Sequence, residues 1–566
     1  MNENWMTSGQ GHPRRWAILG VLIASLLMII LDTSVLNIAL PTIQRDLQAS
    51  QSDLIWAVDA YTLAFAALLF TWGVLGDRIG RKKVLFTGMA VFGLASFAAS
   101  FSTSPGILIG WRVVMGIAGA AVMPTTLAII TVVFPPHERG RAIGMWAGSV
   151  GAAIALGPVI GGVLLEHPEW SSWLTQNDWG SVFLINIPVA IVGLIGIWRV
   201  VPETRNPHAG RLDLTGLLVS VAGLVSLVYG IIHASELGRW GEASVVGPIA
   251  LGIVILALFV WSEARSNHSS FDVTLFKNRG YAVTLTAVTL AFFAMSGITF
   301  TLPFYFQVVR GFSTLAAGFA FLPFAIGQLI AAPRSAAMAS RFGYRRTFSA
   351  GLTLVALSIF VVAHLQADTP LWIPLTAFFF FGLGMGNVIA PGSAVLQNVL
   401  PLARAGAGSA VQNTVRQVGG ALGVAVMGTV LATQYASALA PTLAQLPQLP
   451  DAARAAASKS LIATTEVVGQ AVSAGMPAAA AHNVLNGAYQ AFISASHDAT
   501  YLSLVAILLA LATIVIALPA LKPPTKAAAQ APAGATLDAT EARIEREAEA
   551  YVAEAAAEYD EGERTR

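Results

Sequence analysis

Of the 566 residues, 55% are hydrophobic and 11% charged, and the mean hydropathy is +0.69. Soluble proteins carry about 25% charged residues, so this chain lacks the polar surface a water-soluble body of its size needs. A soluble multi-domain enzyme, a disordered chain and a nucleic-acid binder are excluded, which leaves an all-α polytopic membrane protein. The net charge of +2 divides unevenly: residues 527–566 hold ten acids against four bases, and the remainder twenty against 28.

A bilayer core takes about 20 apolar residues per helix. Windows of that length place spans near 16–37, 54–76, 84–101, 107–134, 140–165, 180–201, 212–232, 245–262, 281–309, 315–339, 347–365, 371–398, 405–435 and 498–521. Arg14 and Arg15 ahead of the first apolar run resemble a signal peptide. That run ends in Asp32-Thr33-Ser34 instead of a small-residue cleavage site, and further spans follow. Lys/Arg placement sets the orientation. Loops on the N-terminal side hold eighteen, from Arg14 through Arg78 and Lys83 to Arg404. The opposite side holds Arg45, Arg239, Arg310, Arg454 and Lys459. The expectation is fourteen spans in a bacterial plasma membrane with both termini cytoplasmic.

The segment GVLGDRIGRKK at 73–83 has an echo, AAMASRFGYRR, 263 residues later. GIAGAAVMP at 116–124 echoes in GLGMGNVIAP at 382–391, with the prolines 267 apart, and Arg139 and Arg404 differ by 265. A near-constant offset means duplication. The ninth span is where a copy of the first six begins, so spans seven and eight lie between the halves. The expected architecture is 6 + 2 + 6: an N-terminal bundle (16–201), a linker with two inserted helices (202–280), and a C-terminal bundle (281–521). Residues 1–15 form a cytoplasmic N-terminus. Two repeats facing each other across a midplane site is the plan of an alternating-access transporter.

Charged residues inside spans are costly and need a reason. Asp32 sits late in span one, Asp59 early in span two and Arg112 near the start of span four; Arg334 and Arg416 lie in spans ten and thirteen. Between 281 and 435 the only acid is Asp368, in an outer loop. Low dielectric disfavours the charged form of a carboxylate, so such a group suits loading and release of a proton. The alternative for Asp32 and Asp59 is a helix-end position in interfacial water. Arg112 is either a counter-charge or a snorkelling residue. Span five carries GxxxG spacings at Gly144/Gly148 and Gly157/Gly161 together with Pro158 and Gly162. These either pack tightly or form a bendable seam on which the halves rock. There is no cysteine, no clustered histidine and no GxxxxGK[ST] phosphate loop. No metal, cofactor or ATP site is implied, and the driving force is expected to be an ion gradient.

Polar and aromatic positions of the first helix of each core triplet, taken as Asn37, Trp56, Tyr61, Tyr305 and Gln307, are candidates for a substrate cavity or for interfacial belts facing lipid. Residues 436–497 are Ala-rich and read as an outer loop, with short amphipathic helices over 451–469 and 477–496 that pack over the outer mouth or serve no role. Residues 522–534 read as a linker. Residues 537–560 read as a solvated acidic helix capped by Asp538 or Thr540, in a cytoplasmic tail that regulates or is simply soluble surface.

Taken together, these residues resemble the major facilitator superfamily, and within it the fourteen-helix drug:proton antiporter group. GVLGDRIGRKKVL at 73–85 matches the signature between helices two and three, and LDTSVLNIALP at 31–41 the first-helix motif. Arg112 with Gly116 fits the helix-four motif. Gly157-Pro158 with Gly161-Gly162 fits the helix-five antiporter motif. Trp179 to Phe183 with Asn186 and Pro188 resemble the helix-six opening. QNTVRQ at 412–417, with Gly419 and Gly420, resembles the helix-thirteen motif.

The resemblance covers about 16–435 and the last span. It implies a coupling or substrate-cation role for Asp32 and a proton-relay role for Arg112. It implies a latch in which Asp77, supported by Arg78 and Arg81 with Gly73, Gly76 and Gly80, engages the opposite half. Gln412 and Asn413 join the cavity candidates. The implied activity is proton-coupled export of hydrophobic, cationic or amphipathic compounds by a monomer. The alternatives are a dedicated exporter of an endogenous metabolite or lipid and, from another class, a non-transporting membrane sensor or scaffold. One departure stands out: some relatives place an acid in the helices after the insert, and none occurs here, so Asp32 and Asp59 must serve any dication.

Overall fold

The computed structural model describes residues 11–205, 214–237, 239–265, 276–398, 405–445 and 449–519. The acidic tail, with its expected linker and helix, lies outside these residues.

Helices dominate the described residues, with no strand among them. The first six long ones are α1 (Arg15–Leu47), α2 (Gln51–Ile79), α3 (Arg81–Ala99), α4 (Pro105–Val133), α5 (Pro136–Glu166) and α6 (Asn186–Val200). Then come α7 (Leu214–Leu237) and α8 (Ala243–Arg265). The second set is α9 (Arg279–Phe304), α10 (Leu322–Phe342), α11 (Tyr344–Val362), α12 (Trp372–Asn398) and α13 (Ala405–Ala444). Two short helices, α14 (Asp451–Ala457) and α15 (Leu461–Ser473), precede α16 (Ala478–Ala517). Twelve stretches among the described residues are long and apolar enough to cross a bilayer, while α5 and α7 contribute the shorter apolar runs Leu156–Glu166 and Leu218–Ala234.

Local chemistry sets the ends. Ser50 and Asp53 form a reciprocal capping box at the start of α2. Ser104 caps α4, with Pro105 in the first turn. α2 joins α3 through the single residue Gly80 (φ +119), and α10 joins α11 through Gly343 (φ +85). These glycines are 263 residues apart, the offset of the sequence repeat. Both supply a backbone conformation that other residues adopt only under strain.

Helix pairing repeats as well. In the first set α1 packs on α5 and α6, α2 on α4, and α3 on α4 and α6. In the second, α9 packs on α13 and α16, α10 on α12, and α11 on α12 and α16. The α7–α8 hairpin is close-packed: a Cβ added at Gly252 would run into the α7 backbone. α7 touches both α2 and α13, and the Thr429 hydroxyl donates to the Ile231 carbonyl at 3.1 Å. α8 buries only Val245, Gly252 and Glu263. Its exposed Leu251, Ile253, Leu258 and Trp261 belong to the apolar exterior, with Leu94, Trp198, Leu357 and Ile516 elsewhere. Such a surface suits hydrocarbon, not water.

The segment 436–497 differs from expectation. α13 continues to Ala444 and α16 begins at Ala478, so each runs 40 residues. That is about 60 Å, roughly twice the hydrocarbon thickness. The run expected as a separate helix over 477–496 is the beginning of α16. α15 packs along α16 and reaches the end of α1, and the Tyr435 and Thr464 hydroxyls bond at 2.6 Å. Burial raises the Glu466 carboxyl above its ordinary range, and the charge of Arg45 opposes this.

Candidate translocation site

Two adjoining features form the site: a buried ion pair inside the first six-helix set and a cavity between the two sets. On α1, residues 29, 30, 33, 34 and 37 face the cavity, and Asp32 points the other way, into its own set. One Asp32 oxygen lies 2.5 Å from a terminal nitrogen of Arg112, both side chains fully buried. The other accepts from the Asn186 amide at 2.9 Å. Asn186 also donates to Ser96, whose hydroxyl donates to the Phe183 carbonyl. Arg112 Nε donates to the Ala57 carbonyl at 2.9 Å, and the guanidinium lies 4.3 Å from the Tyr61 ring centre.

The sequence reason for this is Gly116. It sits one turn beyond Arg112, and a Cβ there would collide with the Tyr61 carbonyl. The missing side chain brings α4 against α2, so that Arg112 reaches both Ala57 and Tyr61, one turn apart. Asp59 is fully buried on α2, and neither of its oxygens has a partner among the described residues. Burying an unpaired carboxylate charge is expensive.

The cavity has a volume of about 800 Å³, within the range of small-molecule sites. Tyr61, Phe65, Phe292 and Phe324 give it aromatic walls; Thr33, Asn37, Thr62, Ser296, Gln328 and Gln417 supply polar groups. Tyr61 separates it from the ion pair: one side of the residue lines the cavity and its ring carries Arg112. Arg416 also lines the cavity, its guanidinium 5.0 Å from the Phe292 ring centre.

Of the sequence candidates, Asn37 and Tyr61 lie on the cavity wall, and Trp56, Tyr305, Gln307, Gln412 and Asn413 do not. Trp56 is half-buried near the start of α2. Tyr305 lies on a π-helical turn (Tyr305–Val309) that prolongs α9 past Pro303, and its hydroxyl donates to the Gln366 carbonyl at 2.8 Å. From the same turn, the Gln307 amide donates to the Ile38 carbonyl of the first set at 2.9 Å. Gln412 stands behind the wall and donates to Ser393 at 2.8 Å; Asn413 is beside it on α13. Polarity along a span does not tell which face meets the cavity, and motif membership put Gln412 and Asn413 on α13 without assigning them a face. Asn186 and Arg416 were legible only as motif members or as in-span charges. The clue for Arg416 was a second-half cation with no acid near it in sequence.

The cross-set contacts lie at the end remote from the N-terminus. Gly157 and Gly161 of α5 lie against Ser34 and Val35 of α1; a Cβ at Gly157 would collide with Ser34, and one at Gly161 would press on Val35. Gly162 abuts the backbone of Thr314 and Leu315, and a Cβ at Gly318 would meet the Pro158 carbonyl. One face of α5 is therefore packed within its own set and the next face against the other set, which meets it through the short helix Thr314–Ala320. The surroundings of Gly148 lie outside the described residues.

At the opposite end, Asp77 is bound to Arg81 at 2.7 Å, four residues on in its own set, not to the other half as the resemblance implies. Arg81 also donates to the Ala128 carbonyl at 3.2 Å, and its N–H to the Thr204 carbonyl at 3.0 Å. Lys82 N–H donates to the Glu203 carboxylate at 3.2 Å. Gly73 and Gly76 face Pro124 and Thr125 of α4, and Arg78 is exposed.

Residues 22–424 match the sequence profile of the Major Facilitator Superfamily. The chain is 32% identical over 507 residues to the multidrug efflux pump LfrA of Mycolicibacterium smegmatis, covering 89% of this chain and 96% of that one. It is 33% identical over 426 residues to the tetracenomycin C resistance and export protein of Streptomyces glaucescens, covering 75% and 77%. Among solved structures, an inward-facing, occupied bacterial homolog of the human lysosomal transporter Spinster superposes with a TM-score of 0.61 at 15% identity, covering 90% and 98%; this likeness speaks for the fold alone. The chain belongs to the major facilitator superfamily.

Proposed function

We propose that the protein is a proton-coupled secondary exporter of hydrophobic, amphipathic small molecules. It works by alternating access across a bacterial plasma membrane, with fourteen spans arranged 6 + 2 + 6 and both termini cytoplasmic. The observation that carries this reading is Tyr61, which lines the cavity while its ring supports the Arg112 partner of Asp32. Substrate pressing on Tyr61 moves Arg112, and a proton reaching Asp32 removes the charge that holds Arg112 in place. Both events act on the same buried pair, which is the physical requirement for coupling.

Among the described residues, the contacts to be broken at the remote end include hydrogen bonds from Gln307 to Ile38 and from Thr314 to Gly162 and Glu166, glycine-lined backbone contacts, and the packing of α2 on α13 with Ile55 against Gly428. One proton moving through 100 mV supplies about 2.3 kcal/mol toward breaking them. At the other end the Asp77–Arg81 loop is tied within its own set, to α4 and to Glu203 and Thr204, and its latch role belongs to the state in which the two halves meet there. The relatives' printed roles in drug efflux and antibiotic export support the same direction of transport.

In everted vesicles, adding a substrate should dissipate a respiration-generated pH gradient, and Asp32→Asn should abolish the effect. Normal dissipation by Asp32→Asn would remove Asp32 from the coupling step.

A further inference from the structure

Resting on the exporter reading above, we propose that the cavity takes compounds bearing an anionic group (carboxylate, sulfonate or phenolate) on a flat apolar body, with Arg416 binding the anion. Arg416 is the one formally charged residue among the described residues of the wall. Among the described residues no acid forms an ion pair with it. From 281 to 435 the only acid in the sequence is Asp368, in the loop between α11 and α12. In the first set Asp32 is committed to Arg112 and Asn186, and Asp59 is absent from the wall. On α5, whose surroundings are only partly described, the acids are Glu138, bound to Arg15, and Glu166, at the remote end beside Thr314.

The Arg416 Nε is buried and has no acceptor among the described residues. Phe292 supports one face of the guanidinium, leaving its edge of donors for a ligand. A guanidinium has five N–H donors in a fixed fork and no acceptor, a geometry that fits a carboxylate or sulfonate through two parallel bonds. The same charge in an apolar chamber repels a cation. The aromatic residues of the wall, Tyr61, Phe65, Phe292 and Phe324, supply apolar surface for the remainder of the molecule. The expectation of a cationic cargo thus gives way to its opposite, because the carboxylates that motivated it do not reach the wall.

Fluorescein and a rhodamine methyl ester share a tricyclic body and carry opposite charges, so they serve as paired probes. Binding to the full chain in lipid nanodiscs is read by fluorescence anisotropy. The wild type should bind fluorescein more tightly than the rhodamine ester. Arg416→Gln should weaken fluorescein binding by about tenfold to a hundredfold, the range of charge-assisted hydrogen bonds, and leave the rhodamine ester unchanged or tighter. Arg416→Lys should retain part of the preference. Unchanged rhodamine binding by Arg416→Gln also shows that the variant is folded. Equal loss for both dyes, an unchanged fluorescein affinity, or a wild type that binds neither dye would overturn the proposal. If binding follows this pattern and neither dye dissipates a pH gradient in everted vesicles, the exporter reading fails and the anion site stands.

Discussion

Removing one charge from the Asp32–Arg112 pair should cost far more than removing both. Asp32 and Arg112 are fully buried with an N–O separation of 2.5 Å, and Asn186 satisfies the second carboxylate oxygen. With charge centres about 4 Å apart and an effective dielectric near 20, the Coulomb attraction is about 4 kcal/mol. Deleting one partner of a buried pair costs about 3–5 kcal/mol, because the other is left uncompensated. Asp32→Asn keeps the side-chain shape and one acceptor, so about 3 kcal/mol is expected. Arg112→Gln strands the carboxylate and should cost about as much. The double variant strands neither, and its loss should fall short of the sum of the singles by about 2 kcal/mol or more. The assay is chemical unfolding of the full chain in detergent micelles, followed by tryptophan fluorescence, for all four members of the cycle. Additive losses, or an Asp32→Asn variant as stable as the wild type, would refute the reasoning.

Other expectations follow from single contacts. Gly116→Val should drive α4 off the Tyr61 carbonyl, costing about 1–3 kcal/mol of overpacking and uncoupling transport; wild-type unfolding and coupling would contradict the close approach. Gly80→Ala combines a strained φ with a Cβ directed at the Glu203 carboxylate, at about 1–3 kcal/mol. Faster trypsin cleavage at Arg81 to Lys83 is expected, and unchanged cleavage would show that Glu203 does not hold this loop. The chain has no native cysteine, so Ile38→Cys with Gln307→Cys gives a clean pair at the remote end. A short thiol cross-linker should trap the protein and stop export, reversibly if the linker is cleavable; continued export would place the moving contact elsewhere. Truncation after Lys522 should leave export intact, and loss of export would give the acidic tail a role in the cycle.

Much of the fold was legible because hydropathy and duplication are one-dimensional signals. The 263-residue echo of the Gly80 loop returns as a second glycine with positive φ at Gly343, and the pairings of α1 to α6 recur in the second set. The ends of α13 and α16 were not legible. A hydropathy window stops at the bilayer edge, whereas an Ala-rich chain, the best helix former, continues beyond it. The charges were readable as positions inside spans, but not as partners. Asn186 lies 154 residues from Asp32, and only the packing of α1 on α6 brings them together. Arg416 carried no sign of which way it faced. Helical spacing gives faces, and which face meets the cavity is fixed by the other set of helices.

The most direct test of proton-coupled export is made in proteoliposomes holding the purified full chain, with no ATP and an imposed acid-inside gradient. Fluorescein should accumulate inside against its own gradient, in step with alkalinisation of the lumen, and an ionophore that collapses the pH gradient should stop both. Asp32→Asn vesicles should show neither. Accumulation that persists after the gradient is collapsed, or that proceeds equally with Asp32→Asn, would contradict the account.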